Sequence, residues 1–359
     1  MRIVHTANCA ASVAISFYRR AKFEILLAVP STQSVYGMED SIMNEGKLLA
    51  ERVIDEVERA VVGKRTVLYR IMTAILAGGH ILIDDIPGTG KTTMALAFSR
   101  AMGLKANRVQ FTPDVLPADL TGFTVYKKAS DAFVYQPGAV ICNLLLADEI
   151  NRTSPKTQSA LLEVMEEQQV TVDGVTHKTG NPFIVIATEN PVGSAGTQLL
   201  PDSQLDRFMI CVSMGYPSVE QEMEILKRSE NNVQRQDENV SPVLNAATLL
   251  SMREDVKKIY VHDRIYRYIS ELSKATRENE WVELGVSPRG AVALTAMAKA
   301  TAYLSGREYV VPSDVTEVFP CVASHRIFLS MKAKVGHIQV SELIRQVMES
   351  VPQPTMKKV

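Results

Sequence analysis

The sequence predicts an α/β protein in which a parallel sheet flanked by helices is followed by a smaller domain made of helices. Two observations predict this fold class. Short, uninterrupted apolar runs at 80–83, 144–147 and 183–187 are typical of strands buried on both faces, and helical patterns separate them. From about residue 217 onward, apolar residues recur mainly at helical spacing, with short turns between the segments.

Length and composition indicate an ordinary protein of two domains. The chain has 359 residues, and its 40 acidic against 39 basic residues argue against a chain-wide surface for nucleic acid, although a local basic strip stays open. Four cysteines lie far apart without a C-x-x-C pair, which predicts reduced thiols and a cytoplasmic setting. Since no run of 18 apolar residues exists, we expect no membrane-spanning helix.

The N-terminal segment differs from the rest of the chain. Its apolar runs are interrupted by Arg19, Arg20 and Lys22, whereas the charges of a signal peptide precede its apolar core. We expect a poorly ordered extension over residues 1–43, with a weak targeting segment as the alternative. Helical spacing on both sides of Gly63 predicts two helices before the first strand. The expected domains are then 44–216 for the sheet, 217–330 for the helical domain, and 331–359 for a C-terminal helix and tail.

Residues 85–92 read DIPGTGKT and lie between the apolar run His80–Ile83 and a helical pattern that ends at Gly103. A phosphate-binding loop requires this order of strand, glycine-containing turn and helix; Lys91 would reach the β and γ phosphates, and the Thr92 hydroxyl would hold Mg²⁺. The standard pattern has glycine where Asp85 stands, so this stretch alone leaves a chance turn open. The predicted nucleotide-binding residues of the loop are Asp85, Ile86, Pro87, Gly88, Thr89, Gly90, Lys91, Thr92 and Thr93.

Polar residues end two further strands. The run LLLADE ends in two adjacent carboxylates: Asp148 would bind Mg²⁺ together with the nucleotide, and Glu149 would orient and polarise the attacking water. The alternative is a strand that ends in solvated acids, which the upstream loop disfavours. Asn190 follows the run PFIVIATE and could touch the γ phosphate or the water, or could belong to a simple turn before Pro191. Together the motifs predict a nucleoside triphosphatase.

Longer strings resemble one family. RVQFTPDVLPADLTG at Arg108–Gly122, LLLADEINRTSPKTQSALLEVMEE, ATENP, LLPDSQLDRF at Leu199–Phe208 and LGVSPRGAVAL at Leu284–Leu294 are similar to MoxR-type AAA+ ATPases, and the resemblance covers about residues 45–328. It implies a P-loop NTPase core with a five-stranded parallel sheet, a helical lid, hydrolysis of ATP with Mg²⁺, and assembly into rings, usually hexamers. An acid at the first loop glycine is in keeping with this family.

The resemblance also implies roles for single residues. Asn190 matches the sensor at the end of the fourth strand, and Arg207 matches the arginine finger that reaches into a neighbouring subunit's site. An interface or surface ion pair, with Asp206 nearby, is the alternative for Arg207. Arg152 stays open between a site residue and a structural ion pair.

Arg289 matches the sensor of the lid. The local sequence agrees, because Ser287 can cap a helix and Pro288 fits its first position, which places Arg289 in the first turn. An arginine there opposes the helix dipole, and an external anion such as a γ phosphate would offset that cost.

Two insertions distinguish this subgroup, one over Thr121–Gly138 and one hairpin turning at Asp173-Gly174. The aromatic residues of the first insertion could grip a client protein or could simply pack within a hairpin; they are Phe123, Tyr126, Phe133 and Tyr135.

The expected function is an ATPase that remodels or activates a protein partner. The family resemblance implies von Willebrand factor A domain partners, maturation of complexes, or insertion of metal cofactors. A helicase-type motor would need a basic pore-facing hairpin, for which Lys127 and Lys128 are thin support. A chelatase-type motor subunit would share all of these residues. A nucleotide-gated binding module would lack the catalytic acid, so Glu149 argues against it.

Overall fold

The computed structural model describes residues 33–86, 88–189, 200–230 and 239–355. The chain divides into two units, Met1–Glu45 and Gly46–Val359. Of the first unit the structure describes residues 33–45, which begin helix α1, Gln33–Ala60. Within these described segments, no helix combines the length and the apolar character that crossing a bilayer requires.

Two helices precede the first strand, as the sequence predicts. Helix α1 ends at Ala60 and helix α2 spans Arg65–Leu76. Gly63 lies between them with a φ of +70°, a conformation that residues with a side chain rarely adopt. The inward faces of both helices are fully buried through Val53, Val57, Leu68, Ile71 and Ile75.

The central sheet has five parallel strands. The strands of the whole described chain are β1 (Ile81–Asp84), β2 (Ala106–Gln110), β3 (Gly122–Lys127), β4 (Ala132–Pro137), β5 (Leu144–Asp148), β6 (Gln169–Val172), β7 (Val175–Lys178), β8 (Ile184–Glu189), β9 (Ile210–Val212), β10 (Val282–Leu284) and β11 (Phe328–Leu329). The sheet order is β2-β5-β8-β1-β9, and Ile81 of β1 lies opposite Ile186 of β8 and Ile210 of β9. The carboxyl ends of all five strands therefore meet at one edge.

The core of this domain fills the space between the sheet and its helices. Leu82, Leu145 and Val185, from three adjacent strands, pack with Phe111, Phe183 and Phe208, and all are nearly inaccessible to solvent. The helices of the sheet domain after α2 are α3 (Lys91–Ala101), α4 (Pro117–Thr121), α5 (Pro155–Glu167) and α6 (Asp202–Leu205).

Both predicted insertions form antiparallel hairpins, β3 with β4 and β6 with β7. The second turns at Asp173 and Gly174, whose φ values of +49° and +77° match a tight hairpin turn. Tyr135 stacks on His177 of the second hairpin, with ring centroids 3.7 Å apart. The other three aromatic side chains of the first hairpin are exposed, Phe133 most strongly at 76%. Tyr126 and Phe133 lie opposite each other on β3 and β4 with ring centroids 5.4 Å apart, so packing of the hairpins involves these two rings and Tyr135, although Tyr126 and Phe133 stay exposed on their outer sides.

The C-terminal region forms the helical lid. Its helices are α7 (Val219–Glu230), α8 (Ala246–Lys258), α9 (Asp263–Arg277), α10 (Pro288–Leu304), α11 (Pro312–Ala323), α12 (Met331–Val335) and α13 (Val340–Ser350), and β10 and β11 add a small antiparallel pair. As predicted, Pro288 begins α10 and the Ser287 hydroxyl accepts the Gly290 backbone N–H at 3.1 Å. Helix α10 packs against α2, and α11 packs against β9.

Candidate nucleotide site

The loop after β1 has the backbone geometry that phosphate binding requires. Gly88 and Gly90 adopt φ values of +84° and +85°, and Gly90 is the N-cap residue immediately before α3. Among the described residues, apart from each glycine's own chain neighbours, no atom lies within 4 Å of the position that a Cβ would take at either glycine. The loop therefore leads directly into a helix N-terminus, whose unpaired N–H groups and dipole favour an anion. Pro87 lies outside the described residues.

Lys91, the first residue of α3, is folded into this loop. Its side chain is largely buried, and its ammonium donates to the Asp85 backbone oxygen at 2.6 Å. Burial lowers the pKa of Lys91, while the nearby carboxylates of Asp85 and Asp148 act in the opposite direction. The ammonium thus lies within the loop that would surround the phosphates.

The Asp85 carboxylate is used inside the protein. Its Oδ1 accepts the N–H of Ile86 at 2.8 Å, and its Oδ2 accepts the N–H groups of Met214 at 2.7 Å and Gly215 at 2.8 Å. Met214 and Gly215 belong to the segment that connects β9 with the lid helix α7. The acid at the first loop position therefore fixes the loop to this segment.

Asp148 ends β5 beside the loop. Its Oδ2 accepts hydrogen bonds from the Thr92 hydroxyl at 3.3 Å and from Arg108 Nε at 2.8 Å, and its Oδ1 accepts from the Thr188 hydroxyl at 3.2 Å. Mg²⁺ prefers oxygen ligands and commonly takes one or two of them from the protein, with phosphates and waters completing its shell. The hydroxyl of Thr92 and the carboxylate of Asp148 fit that requirement.

Glu149 has an unusual backbone conformation. Its φ of +58° lies in the left-handed region, which is costly for a residue with a side chain and is found most often at functional sites. Its backbone N–H donates to the Thr188 hydroxyl at 2.9 Å, and its Oε2 forms an ion pair with Arg152 at 2.7 Å. Arg152, whose role the sequence leaves open, therefore pairs with the acid predicted to be catalytic.

Asn190, the predicted sensor, lies outside the described residues. The strand before it, β8, lies between β5 and β1 in the sheet, so its carboxyl end is flanked by Asp148 and by the phosphate loop. Its role stays a prediction.

Arg207 and Arg289 lie together near the amino ends of the strands, opposite the phosphate loop. Arg207 precedes β9, and Met209 two residues later donates its N–H to the oxygen of His80, which precedes β1. The four residues of β1 therefore separate this region from the phosphate loop by about 13 Å. Both arginines contact the carboxylate of Glu166, Arg207 at 3.1 Å. The predicted site residues thus form two groups, and neither arginine belongs to the group around Lys91.

An apolar cavity beside the loop adds residues that sequence reasoning missed. It has a volume of about 270 Å³ and is lined by Ala60, Val61, Val62, Lys64, Gly88, Thr89, Gly90, Thr93, Pro217 and Ile225. Away from the loop its walls are mainly the apolar side chains of Ala60, Val61, Val62, Pro217 and Ile225, which suit the base of a nucleotide. Four of these residues belong to the predicted loop; the others come from the stretch 60–64 before it and from Pro217 and Ile225, more than 150 residues later.

Comparison with known proteins adds independent findings. Residues 80–210 match the model of the ATPase family associated with various cellular activities (AAA), and residues 274–347 match the AAA lid domain. The chain is 43% identical to the uncharacterised protein YeaC of Bacillus subtilis, over 86% of this chain and 96% of that protein. It is 36% identical to the chaperone MoxR1 of Mycobacterium tuberculosis, over 92% of this chain and 89% of that protein.

A crystal structure of a candidate ATPase from Cytophaga hutchinsonii superposes with a TM-score of 0.82 at 35% identity. That similarity covers 90% of this chain and the whole of the other.

Proposed function

This chain belongs to the MoxR family of AAA+ ATPases, and on that premise we propose that it uses ATP hydrolysis to remodel or activate partner proteins. The chain is an ATPase, and the chaperone name of its mycobacterial relative supports a chaperone-like role. One observation carries the proposal: Lys91, Thr92, Asp148 and Glu149 meet at the carboxyl ends of the strands. Phosphoryl transfer needs a cation, metal ligands and a carboxylate that activates water at one place.

Each residue of this group has a distinct task. The amides at the start of α3 and the ammonium of Lys91 neutralise the β and γ phosphates. Thr92 and Asp148 would hold Mg²⁺, which supplies further positive charge to the phosphates. Glu149 orients and polarises the attacking water, and Arg152 fixes the direction of its carboxylate. The apolar cavity at Val62 and Ile225 holds the base.

Arg207 and Arg289 act on the nucleotide of a neighbouring subunit. Both lie at the edge of the sheet opposite their own phosphate loop, so they serve the reaction only where another copy places its loop against them. Guanidinium groups suit the charge that develops on the transferred phosphoryl group. A ring of identical subunits, which we expect to be a hexamer, satisfies this requirement at every interface.

The partner is a protein client or a von Willebrand factor A domain protein, in complex maturation or metal-cofactor insertion. The exposed aromatic side chains of the β3–β4 hairpin support a client-binding surface: Phe133 is 76% exposed, Phe123 49% and Tyr126 47%. Exposed aromatic residues on one hairpin are typical of protein contacts.

A trapped ATP state tests this proposal. Glu149→Gln keeps the size of the side chain but loses the charge that polarises water, so the variant should bind ATP without hydrolysing it and retain its client. Proteins held by this variant with ATP but not with ADP, and absent with the matched variant Glu167→Gln, are the expected result. Normal turnover of Glu149→Gln would contradict the catalytic role, and DNA-stimulated turnover of the wild type would favour a helicase-type motor instead.

A further inference from the structure

One carboxylate joins the two arginines that the proposed mechanism assigns to the neighbouring subunit. Glu166 lies near the C-terminal end of α5; its Oε2 is 3.1 Å from Nη1 of Arg207, and its Oε1 contacts Nη2 of Arg289. Arg207 comes from the sheet domain and Arg289 from the lid helix α10. Each oxygen of Glu166 thus contacts a guanidinium from a different domain.

Charges of both signs surround this group, since Glu163 and Glu167 line the cavity beside Arg207 while Arg326 lines the cavity beside Arg289. Arg326 is buried, lines the same cavity and forms an ion pair with Asp206 at 2.7 Å, and Asp206 also accepts the Ser287 hydroxyl at 2.8 Å. Asp206 is therefore already engaged. The N-terminus of α10, where Arg289 lies, adds a further partial positive charge. Without Glu166, the guanidinium groups of Arg207 and Arg289 would repel each other.

We propose that Glu166 is a positioning residue that holds Arg207 and Arg289 as one anion-binding pair for the phosphates of a neighbouring subunit. The contacts with Glu166 involve Nη1 of Arg207 and Nη2 of Arg289. A guanidinium has five N–H donors, so each arginine keeps further donors for a phosphate. This inference rests on the proposed function, because the pair has a task only at a shared interface.

Helix α5 gives Glu166 a link to its own subunit's site. The helix begins at Pro155, six residues after Glu149, and its 13 residues are about 20 Å long. It therefore leads from the end of the sheet that carries Glu149 to the arginine pair. Glu166 therefore belongs to the helix that begins close in sequence to the chain's own predicted catalytic acid, Glu149. The position of Arg207 and Arg289, which would bind the phosphates of the neighbouring subunit, thus depends on α5.

Kinetics of three variants test the role of Glu166. Glu166→Gln should lower kcat about tenfold, because the two guanidinium groups are no longer held together in the transition state, while KM for ATP changes less than about twofold. Glu166→Asp keeps the charge and should recover part of kcat. Glu167→Gln removes the adjacent, exposed carboxylate, which lines the cavity beside Arg207 but does not join the two arginines, and should behave as the wild type. A purely structural ion pair would not separate kcat from KM in this way.

Three results would overturn the inference. An unchanged kcat in Glu166→Gln would make the contacts incidental, and a raised kcat would show that Glu166 inhibits the arginines. Loss of assembly in sedimentation would show that Glu166 serves the interface itself.

Mixed assemblies separate this inference from the proposed function. Glu166→Gln mixed with Lys91→Ala should regain activity, since an intact loop then meets a correctly held arginine pair. If Arg207→Ala complements Lys91→Ala but Glu166→Gln does not, Glu166 acts elsewhere and only this inference fails. If neither mixture regains activity, the shared-site mechanism itself is wrong.

Discussion

The carboxylate of Asp85 accepts a hydrogen bond from the backbone N–H of Met214 at 2.7 Å, and this contact connects the phosphate loop to the segment before the lid. The same oxygen accepts the N–H of Gly215. From the other side, the Lys64 ammonium donates to the backbone oxygens of Gly215 and Tyr216, at 3.1 and 3.0 Å. The acid that departs from the usual loop pattern thus holds two parts of the site together.

Restoring the usual glycine should therefore harm this protein. Asp85→Gly leaves three backbone N–H groups without their acceptor in a largely buried place, which should lower the free energy of unfolding by about 1–3 kcal/mol. KM for ATP should rise severalfold, because the phosphate loop would lose its contact with Met214 and Gly215, which precede the cavity proposed to hold the nucleotide base. Thermal unfolding and steady-state ATPase assays measure both effects, and Asp85→Asn, with one acceptor oxygen, should lie between. Wild-type behaviour of the glycine variant would contradict the role of this carboxylate.

The cavity proposed to hold the nucleotide base leads to a prediction about the binding of ATP but not its hydrolysis. Ile225 of α7 lines the cavity, and a charged side chain there would place a carboxylate next to the base and the phosphates. Ile225→Asp should raise KM for ATP about tenfold and leave kcat nearly unchanged, since contacts with the base are alike in the ground and transition states. Met223→Asp, at an exposed position of the same helix that does not line the cavity, is the matched control. Equal KM values for the two variants would show that the base binds elsewhere.

Buried His80 predicts how stability depends on pH. Its Nδ1 accepts the Val185 N–H at 3.0 Å, so the neutral ring donates from Nε2 to the Met165 oxygen. Burial lowers the pKa of His80 to about 4, below the value near 6.5 of the unfolded chain. The unfolded state therefore binds the proton first, and the stabilisation present above pH 6.5 is lost as the pH falls toward 4.

This loss is expected to be on the order of 1–3 kcal/mol in the wild type. In His80→Gln, which has no titrating ring, the decrease between pH 6.5 and 4 should be smaller, as denaturant titrations at several pH values would measure. His337→Gln, at an exposed position, should keep the wild-type slope. A slope unchanged in His80→Gln would show that other groups cause the acid sensitivity.

Residues of the site that follow strands could be predicted from the sequence. An apolar run that ends in polar residues marks the carboxyl end of a buried strand, and in a parallel sheet these ends share one edge. The sequence pattern alone therefore predicts one group made of Lys91, Thr92, Asp148 and Glu149. The resemblance to a family supplied the number of strands and the identity of Arg207 and Arg289.

The remaining parts of the site depend on contacts between distant segments. Asp85 and Met214 are 129 residues apart, and the base cavity joins Val62 to Ile225. Glu166 reads in the sequence as an ordinary charge on the exposed face of a helix, and only the packing of the lid places Arg289 beside it. No local pattern encodes such pairs, because each joins segments that are far apart in the chain.

Complementation between two inactive variants tests the central claim, that ATP is hydrolysed at a site shared by two subunits. Arg207→Ala should bind ATP normally but lose turnover by roughly a factor of 10³, whereas Lys91→Ala should lose its own site and keep a working Arg207. In an equimolar mixture, intact loops meet intact arginines at up to about one quarter of the interfaces, and turnover should rise to about that fraction of the wild type. If mixtures that sedimentation shows to co-assemble remain as inactive as the two variants alone, Arg207 does not act across an interface and the shared-site mechanism is wrong.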